Sequence, residues 1–379
     1  IPTGDFIPFS SGAMGSGMYK TAFNNELTVQ QPIFNGGKVI LGFQMAKEAK
    51  SISELNLIAK TNEIVFKVVS AHLSILRLNE IRQVYIANLN AIKAHLKTAN
   101  VNFNAGVVTQ NDVLNWEVQL SKSQIQLDEI DKNIVIALDN WKNLLGTSEQ
   151  VYPQNIEIKD YDNKIANFAE IENISAKTEQ ILNSVEANNP NIKSLEISNK
   201  LFQKKYNMAK GEFLPSFNIQ YSYQFENDDK FDFEGDSNWN VAGVFSMPLF
   251  SSGENFSKVK KAKYELKKNQ TNVKSLKNNI LLGAKNSYLK MITNAKKVER
   301  SKKSLNLINK NYNLTTRLFN EGMLDNNSLL DAETMFLSGK LELISSYFDF
   351  ILNEFEIEKW IGAPLSKSKK NKKINLEGK

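Results

Sequence analysis

The sequence predicts a mainly α-helical protein with a small β part, built as a tandem repeat in which a β-hairpin precedes a long helical hairpin. Two proline-free stretches, Gly37 to Gln150 and Ser251 to Ala363, can hold helices far longer than those of ordinary domains. The two halves align without a gap, and segments of alternating apolar and polar residues precede each stretch. These three patterns define the predicted architecture.

The first repeat is predicted over residues 1–150 and begins with a strand pair at about residues 5–34. After the small-residue loop SSGAMGSG, Leu27 and Val29 alternate with polar neighbours, which is typical of a strand with one apolar face. Long helices are predicted at about 37–102 and 110–146. The first of them would be about 100 Å long at about 1.5 Å per residue.

These helices are predicted from apolar residues that recur every three or four positions, as at Tyr85, Leu89 and Ile92. Gly106 interrupts the stretch, because glycine adopts the left-handed conformation that ends a helix, and Thr109 can cap the next helix. The stretch therefore folds back as a helical hairpin. Residues 151–189 are predicted as the inter-repeat linker.

The second repeat is predicted over residues 190–365 and opens with a helix at about 190–213. Strands follow at about 214–226 and 238–250, since Phe217 to Phe225 alternates strictly between apolar and polar residues. An acidic, turn-forming loop lies between these strands. Long helices are predicted at about 253–318 and 326–362, and residues 366–379 as a disordered basic tail.

An offset of 216 residues relates the two halves, taking Pro32 to Pro248 and Gly106 to Gly322. One offset that holds over more than a hundred residues indicates a duplication. The second repeat has a leading helix that the first lacks. We therefore expect the sequence to be incomplete at its N-terminus.

Composition and charge exclude several classes of function. The net charge is +6, but the tail alone holds six lysines and one glutamate, so the body is nearly neutral and predicts no nucleic-acid partner. The absence of cysteine excludes disulfides and thiol chemistry. His72 and His95 lie far apart in sequence, and no histidine accompanies both Glu117 and Glu333 at metal-ligand spacing. We predict no enzyme, no cofactor and no metal site.

Two interpretations of the strands are open: a half-buried sheet in a soluble domain, or strands that span a membrane. The clear strand, Phe217 to Phe225, is about nine residues long and has an aromatic outer face. Because a tilted membrane-spanning strand has about 9 to 11 residues, both observations favour the second interpretation. The four predicted strands cannot close a barrel, whose practical minimum is about eight strands. A membrane-spanning sheet would therefore require an oligomer.

Three duplicated motifs identify the family that the chain resembles. They are Q-P-I-F-x-x-G at Gln31 to Gly37, echoed at Met247 to Gly253; F-x-x-G-x-x-T-x-x-D-V-L at Phe103 to Leu114, echoed at Phe319 to Leu330; and L-L-G at Leu144 to Gly146, echoed at Trp360 to Gly362. In this order they resemble the TolC-like outer membrane efflux proteins.

The resemblance implies a homotrimer with a 12-stranded transmembrane β-barrel, continued by an α-helical barrel in the periplasm, with residues 151–189 as its equatorial region. It also implies a passive conduit for efflux or type I secretion, located in the bacterial outer membrane and surrounded by outer-membrane lipid. Its partners would be a periplasmic adaptor (membrane fusion) protein and an inner-membrane pump. The sequence favours no cargo among drugs, metals, other small molecules and proteins.

The resemblance further implies three sets of site residues. The adaptor-docking tip would consist of Phe103, Gly106, Val107, Val108, Thr109, Phe319, Gly322, Met323 and Leu324. The strand-helix junctions would consist of Pro32, Phe34, Gly37, Pro248, Phe250 and Gly253. Asp331 matches one of two aspartates that close the pore in some members, whereas the other position is Ser328; Asp331 is otherwise a solvated or capping carboxylate.

A second class of function remains as an alternative. The long helices would also suit a non-enzymatic coiled-coil scaffold that holds partners apart. A scaffold has no use for strands with an aromatic outer face at the start of both repeats. The strands therefore favour the transport conduit.

Overall fold

The computed structural model describes residues 23–147, 153–154, 156–227 and 236–362. The chain forms two compact units, which we call the sheet unit (Ile1–Ile52 with Leu195–Lys274) and the helical unit (Ser53–Ser194 with Ser275–Lys379). Each unit draws on both sequence repeats. The first strand of the pair predicted at 5–34, the middle of the acidic loop and the predicted basic tail lie outside the described residues.

Helices make up most of the described chain. The elements are β1 (Phe23–Asn35), α1 (Lys38–Asn104), α2 (Gln110–Leu145), α3 (Asp162–Ala169), α4 (Ile174–Asn188), α5 (Pro190–Lys210), β2 (Ser216–Asn227), β3 (Asp236–Ser246), α6 (Glu254–Asn320) and α7 (Asn326–Ile361). The prediction of a mainly helical chain with a small sheet is confirmed. None of these described helices is both long and apolar enough to cross a membrane.

The duplication is visible in the helix lengths. Helices α1 and α6 each contain 67 residues, and α2 and α7 each contain 36. The 216-residue offset carries both ends of α1 onto the ends of α6, and both ends of α2 onto those of α7. The turns that end these helices therefore occupy equivalent positions in both repeats.

The three strands of the sheet unit form an antiparallel sheet in the order β1-β2-β3. Residues directly opposite each other share a face, so Val29 and Tyr221 project from the same side. The register of β1 against β2 shifts between Pro32 and Phe34, where β1 carries an extra residue. Because a one-residue shift exchanges the two faces, this bulge places Phe34 opposite Phe217, on the side of Val29.

The main core of the helical unit joins α1, α6 and α7 with the segment between the repeats. Helix α7 contributes Phe350 and Ile351, both fully buried. The repeat counterpart of Ile351 is Val135 in α2, whose side chain is 58% exposed. The equivalent positions of α2 and α7 therefore differ in packing, because Ile351 lies in this core and Val135 does not.

The segment predicted as a linker is itself folded. It contains a 3-10 turn at Ile158–Tyr161 followed by α3 and α4. The ring of Phe168 in α3 packs edge to face against Phe350, with ring centroids 6.0 Å apart, and against Tyr288 at 6.5 Å. This segment therefore packs against both α6 and α7.

Polar contacts strengthen the same attachment. The Asp162 carboxylate accepts hydrogen bonds from Lys302 Nζ of α6 at 2.9 Å and from the Tyr347 hydroxyl of α7 at 2.5 Å. Burial alone would raise the pKa of Asp162, but these hydrogen bonds outweigh burial and hold the pKa below its usual value. The same network raises the pKa of Tyr347 to about 12, by burial first and then by its bond to Asp162.

We expect Asp162→Asn to lower the stability of the helical unit by about 1 kcal/mol at neutral pH, since the ionised partner of Lys302 is lost. A carboxyl group with a lowered pKa stabilises the fold above its unfolded pKa of about 4, and that contribution disappears as pH falls further. Thermal unfolding at pH 7 and pH 3 measures the effect. The difference between the two proteins should be smaller at pH 3 than at pH 7, whereas Asp139→Asn on an exposed site of α2 should change neither melt.

Candidate functional site

One face of the sheet is apolar and open to the surroundings. Exposed apolar side chains project from all three strands on this side, namely Leu27, Val29, Phe217, Ile219, Tyr221, Trp239, Val241 and Phe245. Their exposed fractions reach 64% at Trp239 and 65% at Phe245. A contiguous apolar surface of this kind indicates contact with lipid or with another protein.

The opposite face of the sheet is polar. The strand positions between the apolar ones carry Thr28, Gln30, Asn218, Gln220, Ser222, Gln224, Asn238 and Asn240. The Ser222 hydroxyl is buried and lies 3.3 Å from the Thr28 hydroxyl, and Gln220 donates to Ser222 at 3.2 Å. The sheet thus separates an apolar side from a hydrogen-bonding side.

The first strand-helix junction depends on a close approach between Gly36 and Gly211. Gly36 and Gly37 both have positive φ, at 64° and 77°, a conformation that favours glycine. A Cβ added to Gly36 would lie 2.4 Å from the carbonyl oxygen of Gly211, which follows α5. This junction therefore fixes β1 and α1 against the end of α5.

The second junction repeats the left-handed backbone, although serine replaces the first of the two glycines. Gly253 has a φ of 82°, and the residue before it is Ser252, with a φ of 49°. Pro248 and Phe250 precede this turn, and Phe250 is 88% exposed. The junction residues predicted from the motifs thus lie at two equivalent turns that share a left-handed backbone.

The helical hairpins also turn through one shared motif. Gly106 and Gly322 have φ values of 73° and 75°. In each turn the glycine amide donates to the carbonyl three residues back, and the next amide to the carbonyl five residues back, at 2.9 to 3.0 Å. The residues after the glycines, Val107 and Met323, are 72% and 69% exposed.

Helices α2 and α7, which follow these turns, are each capped by one carboxylate and one hydroxyl, and the two groups exchange positions between the caps. Before α2, the Asp112 carboxylate accepts hydrogen bonds from the Thr109 amide at 2.9 Å and from the Thr109 hydroxyl at 2.7 Å. Before α7, Asp325 accepts from the Ser328 amide at 2.9 Å and from the Ser328 hydroxyl. The Ser328 hydrogen bonds hold the pKa of Asp325 below its usual value.

The exchange explains the serine at position 328. The 216-residue offset pairs Thr109 with Asp325 and Asp112 with Ser328, so each cap contains one carboxylate and one hydroxyl. In the second repeat the carboxylate has moved from the third helical position to the capping position. Asp331, the predicted constriction residue, lies beyond this cap on an exposed site of α7.

The two hairpins meet behind their turns around a cavity of about 210 Å³. Among the predicted tip residues, those that line it are Val107, Val108, Thr109, Phe319 and Leu324. Phe103, Gly106, Gly322 and Met323 do not line it. The structure thus brings together tip residues from both hairpins around one cavity.

A polar contact that the sequence did not reveal joins the hairpins beside this cavity. His95 Nε2 lies 3.0 Å from the Glu333 carboxylate, and its ring stacks on Trp116 with centroids 4.8 Å apart. The Tyr312 hydroxyl donates to Glu333 at 3.4 Å, and burial, followed by the charge of Glu333, raises the pKa of Tyr312. Glu333 is only 7% exposed, so its charge depends on these two partners.

Sequence reasoning missed this contact because it searched for residues that match across the repeat. Glu333 matches Glu117, but Glu117 is exposed. The counterparts of His95 and Tyr312 are Asn311 and Leu96, which cannot repeat the contact. The residues that differ between the two repeats, His95 and Tyr312, were therefore the signal that could have indicated this contact.

His72 lies elsewhere in the helical unit and is buried. Its Nε2 lies 3.0 Å from the carbonyl oxygen of Gln154, and its ring contacts Trp141 edge to face at 5.7 Å. Burial lowers the pKa of His72, which favours the neutral form. Among the described residues, no group of three or more His, Cys, Asp or Glu side chains could hold a metal ion.

Solved structures of the same fold are outer membrane channels. The chain aligns with the Campylobacter jejuni CmeC outer membrane channel at a TM-score of 0.77 and 18% identity, covering 100% of this chain and 79% of that one. It aligns with the outer membrane protein VceC of Vibrio cholerae at a TM-score of 0.77 and 13% identity, covering 96% and 84%. The chain therefore shares its fold with these two outer membrane proteins.

The family model for outer membrane efflux proteins matches residues 10–147 and 181–346, with one segment over each repeat. The chain belongs to the outer membrane efflux protein family. The outer membrane protein TolC of Salmonella enteritidis is 22% identical over 374 residues, covering 92% of this chain and 70% of that relative. The resemblance inferred from the motifs is confirmed, and the chain is a bacterial outer-membrane protein whose helical part extends into the periplasm.

Proposed function

We propose that this chain is the subunit of a passive trimeric efflux or type I secretion channel, which docks to a periplasmic adaptor and an inner-membrane pump. The sheet carries the proposal, because one face is exposed, apolar and aromatic while the other is polar. Lipid would cover the first face and an aqueous lumen would meet the second. A conduit of this kind needs no catalytic group, cofactor or metal.

The strand lengths support a membrane-spanning role. Strands β2 and β3 contain 12 and 11 residues. At about 3.3 Å per residue and a tilt of about 45°, such strands cover about 25 to 28 Å along the membrane normal. This is close to the apolar band of about 25 Å in outer-membrane proteins.

The edges of the sheet support the homotrimer. Within the described residues, β1 and β3 each pair only with β2, so each has an edge without a partner. An open edge in lipid leaves backbone amides and carbonyls without hydrogen bonds, which costs several kcal/mol per group. Three chains with four strands each would close these edges in a 12-stranded barrel.

The hairpin turns support a docking tip. Both turns present an exposed apolar residue on a backbone fixed by the same hydrogen bonds, and the residues behind them line one cavity. A periplasmic adaptor would contact Phe103, Gly106, Val107, Val108, Thr109, Phe319, Gly322, Met323 and Leu324. Asp331, exposed one turn beyond the second cap, would form a ring of one carboxylate per chain at the constriction.

Single-channel conductance across a planar bilayer tests the proposal directly. The purified protein should insert as trimers and give discrete, stable conductance steps in a neutral lipid bilayer. A protein that remains monomeric and gives no steps would exclude the channel. Asp331→Asn should alter the cation preference of the open pore, since it removes the proposed ring of charge.

Docking of the periplasmic adaptor to the tip can be tested separately. We expect Val107→Asp combined with Met323→Asp to reduce co-purification of the cognate adaptor at least tenfold, because a charge would replace the apolar contact on both turns. Trimer formation should not change, since both side chains are exposed. Met335→Asp, on an exposed site of α7 away from the turns, is the matched control and should retain the adaptor. Equal retention by all three proteins would place docking elsewhere.

A further inference from the structure

The charges of the sheet unit are strongly segregated along the chain. The strands β1, β2 and β3 contain no lysine or arginine. The adjoining helical residues, 38–52, 195–213 and 254–274, contain fourteen lysines against five glutamates and no arginine or aspartate. Their net charge of +9 exceeds the +6 of the whole chain, so the rest of the protein is net acidic.

An apolar and aromatic band lies between the strands and these lysines. At the end of β3 and the start of α6, Leu249, Phe250 and Phe256 are 87%, 88% and 73% exposed. Phe256 packs edge to face on Phe213, with ring centroids 5.0 Å apart. Aromatic residues that flank membrane-spanning strands occupy the level of the lipid headgroups.

Three lysines near this band already have protein partners. Lys38 pairs with Glu212 at 2.9 Å, and Lys258 pairs with Glu254 at 2.8 Å. The ammonium group of Lys210 lies 4.2 Å from the centre of the Tyr206 ring. These contacts leave the next lysines along α6 as candidates for an external partner.

Three such lysines follow Phe256 within two turns. Lys260, Lys261 and Lys263 are exposed, and none of them forms an ion pair with another described residue. At about 1.5 Å per residue they lie about 6 to 10 Å along α6 from Phe256. Flexible lysine side chains at that distance reach the headgroup layer, which is about 5 to 8 Å thick on each side of the bilayer.

We propose that Lys260, Lys261 and Lys263 form a binding surface for the phosphate groups of anionic phospholipids in the periplasmic leaflet of the outer membrane. This inference rests on the proposed function only in placing the strands across the membrane. The surface sets the depth of the channel, because the apolar band enters the bilayer and the ammonium groups hold the headgroup plane.

The chain offers a matched control further along the same helix. Lys267, Lys268 and Lys274 are also exposed lysines of α6, but they lie about 16 to 27 Å from Phe256. Headgroups at the level of Phe256 cannot reach them. The variants Lys260→Gln/Lys261→Gln/Lys263→Gln and Lys267→Gln/Lys268→Gln/Lys274→Gln therefore remove the same charge at different heights.

To test the proposal, the full chain is reconstituted in nanodiscs of phosphatidylcholine with a small fraction of phosphatidylglycerol. The measured quantity is the enrichment of phosphatidylglycerol around the protein. Because the first variant removes three positive charges near the anionic surface, we expect it to lose at least tenfold in relative affinity for phosphatidylglycerol. The second variant should behave as wild type. Raising the salt concentration should weaken the wild-type preference, and inorganic phosphate should not compete at millimolar concentration.

Equal losses in the two variants would show a general charge effect and overturn the proposal, as would unchanged enrichment in the first. Competition by inorganic phosphate would identify a phosphate-ion site instead of a lipid surface and also overturn it. Conductance in pure phosphatidylcholine separates the proposal from the channel function. Both variants should conduct there, whereas failure of the wild type would exclude the channel itself.

Discussion

Replacing Tyr221 by lysine should abolish assembly of the protein in the outer membrane. Tyr221 lies in the middle of β2, on the apolar face, opposite Val29 and Val241. A lysine on the lipid side of a barrel strand costs about 2 to 4 kcal/mol at the centre of the bilayer. In a trimer this cost would occur three times, so the folded protein should be lost from the outer-membrane fraction.

The neighbouring residue supplies the control. Gln220 projects from the polar face and donates to Ser222 at 3.2 Å. Gln220→Lys introduces the same charge one residue away, on the side that would meet the aqueous lumen. Quantification of heat-modifiable protein in isolated outer membranes should show near-normal levels for Gln220→Lys and none for Tyr221→Lys. Similar levels of the two variants would remove the assignment of the faces.

Gly36→Ala should destabilise the sheet unit by about 2 to 5 kcal/mol. Two costs combine at this position. An alanine at a φ of 64° carries conformational strain of about 1 to 2 kcal/mol. Its Cβ would also lie 2.4 Å from the Gly211 carbonyl oxygen and 3.2 Å from Leu214 Cβ, a clash worth about 1 to 3 kcal/mol or more.

Two neighbouring variants separate these costs. Gly37→Ala meets nothing within 4 Å but has a φ of 77°, so it should show the conformational cost alone. Gly211→Ala would place its Cβ 2.6 Å from the Gly36 carbonyl oxygen without a positive φ, so it should show the clash alone. Denaturant unfolding in detergent, followed by circular dichroism, should rank Gly36→Ala as the most destabilised. Equal destabilisation of Gly36→Ala and Gly37→Ala would show that the approach of the two glycines is unimportant.

The helical framework was predictable because its signals are local. Missing prolines, apolar spacing and a glycine followed by a capping residue are enough to identify α1, α2, α6 and α7. The paired turns at Gly106 and Gly322 were also visible, since both follow the same short motif. The segment at 151–189 was predicted only as the inter-repeat linker, because its short helices pack on distant partners such as Phe350 and Lys302, which no local pattern reveals.

The polar contacts of the site were less accessible to sequence reasoning. The contact between His95 and Glu333 joins residues that are far apart in the chain and that break the repeat. The close approach of Gly36 to Gly211 depends on the path of α5, which no local pattern reveals. The apolar face of the sheet, by contrast, follows from the period of two in β2. Local periodicity therefore predicted surfaces, whereas pairwise contacts required the structure.

The exchanged caps at the two turns show how the copies of a duplicated chain diverge. Thr109 with Asp112 and Asp325 with Ser328 give the same hydrogen-bonded corner through different residues. The carboxylate lies at the third helical position in the first cap and at the capping position in the second. Each half thus carries its negative charge at a different place, while the backbone of the turn stays the same.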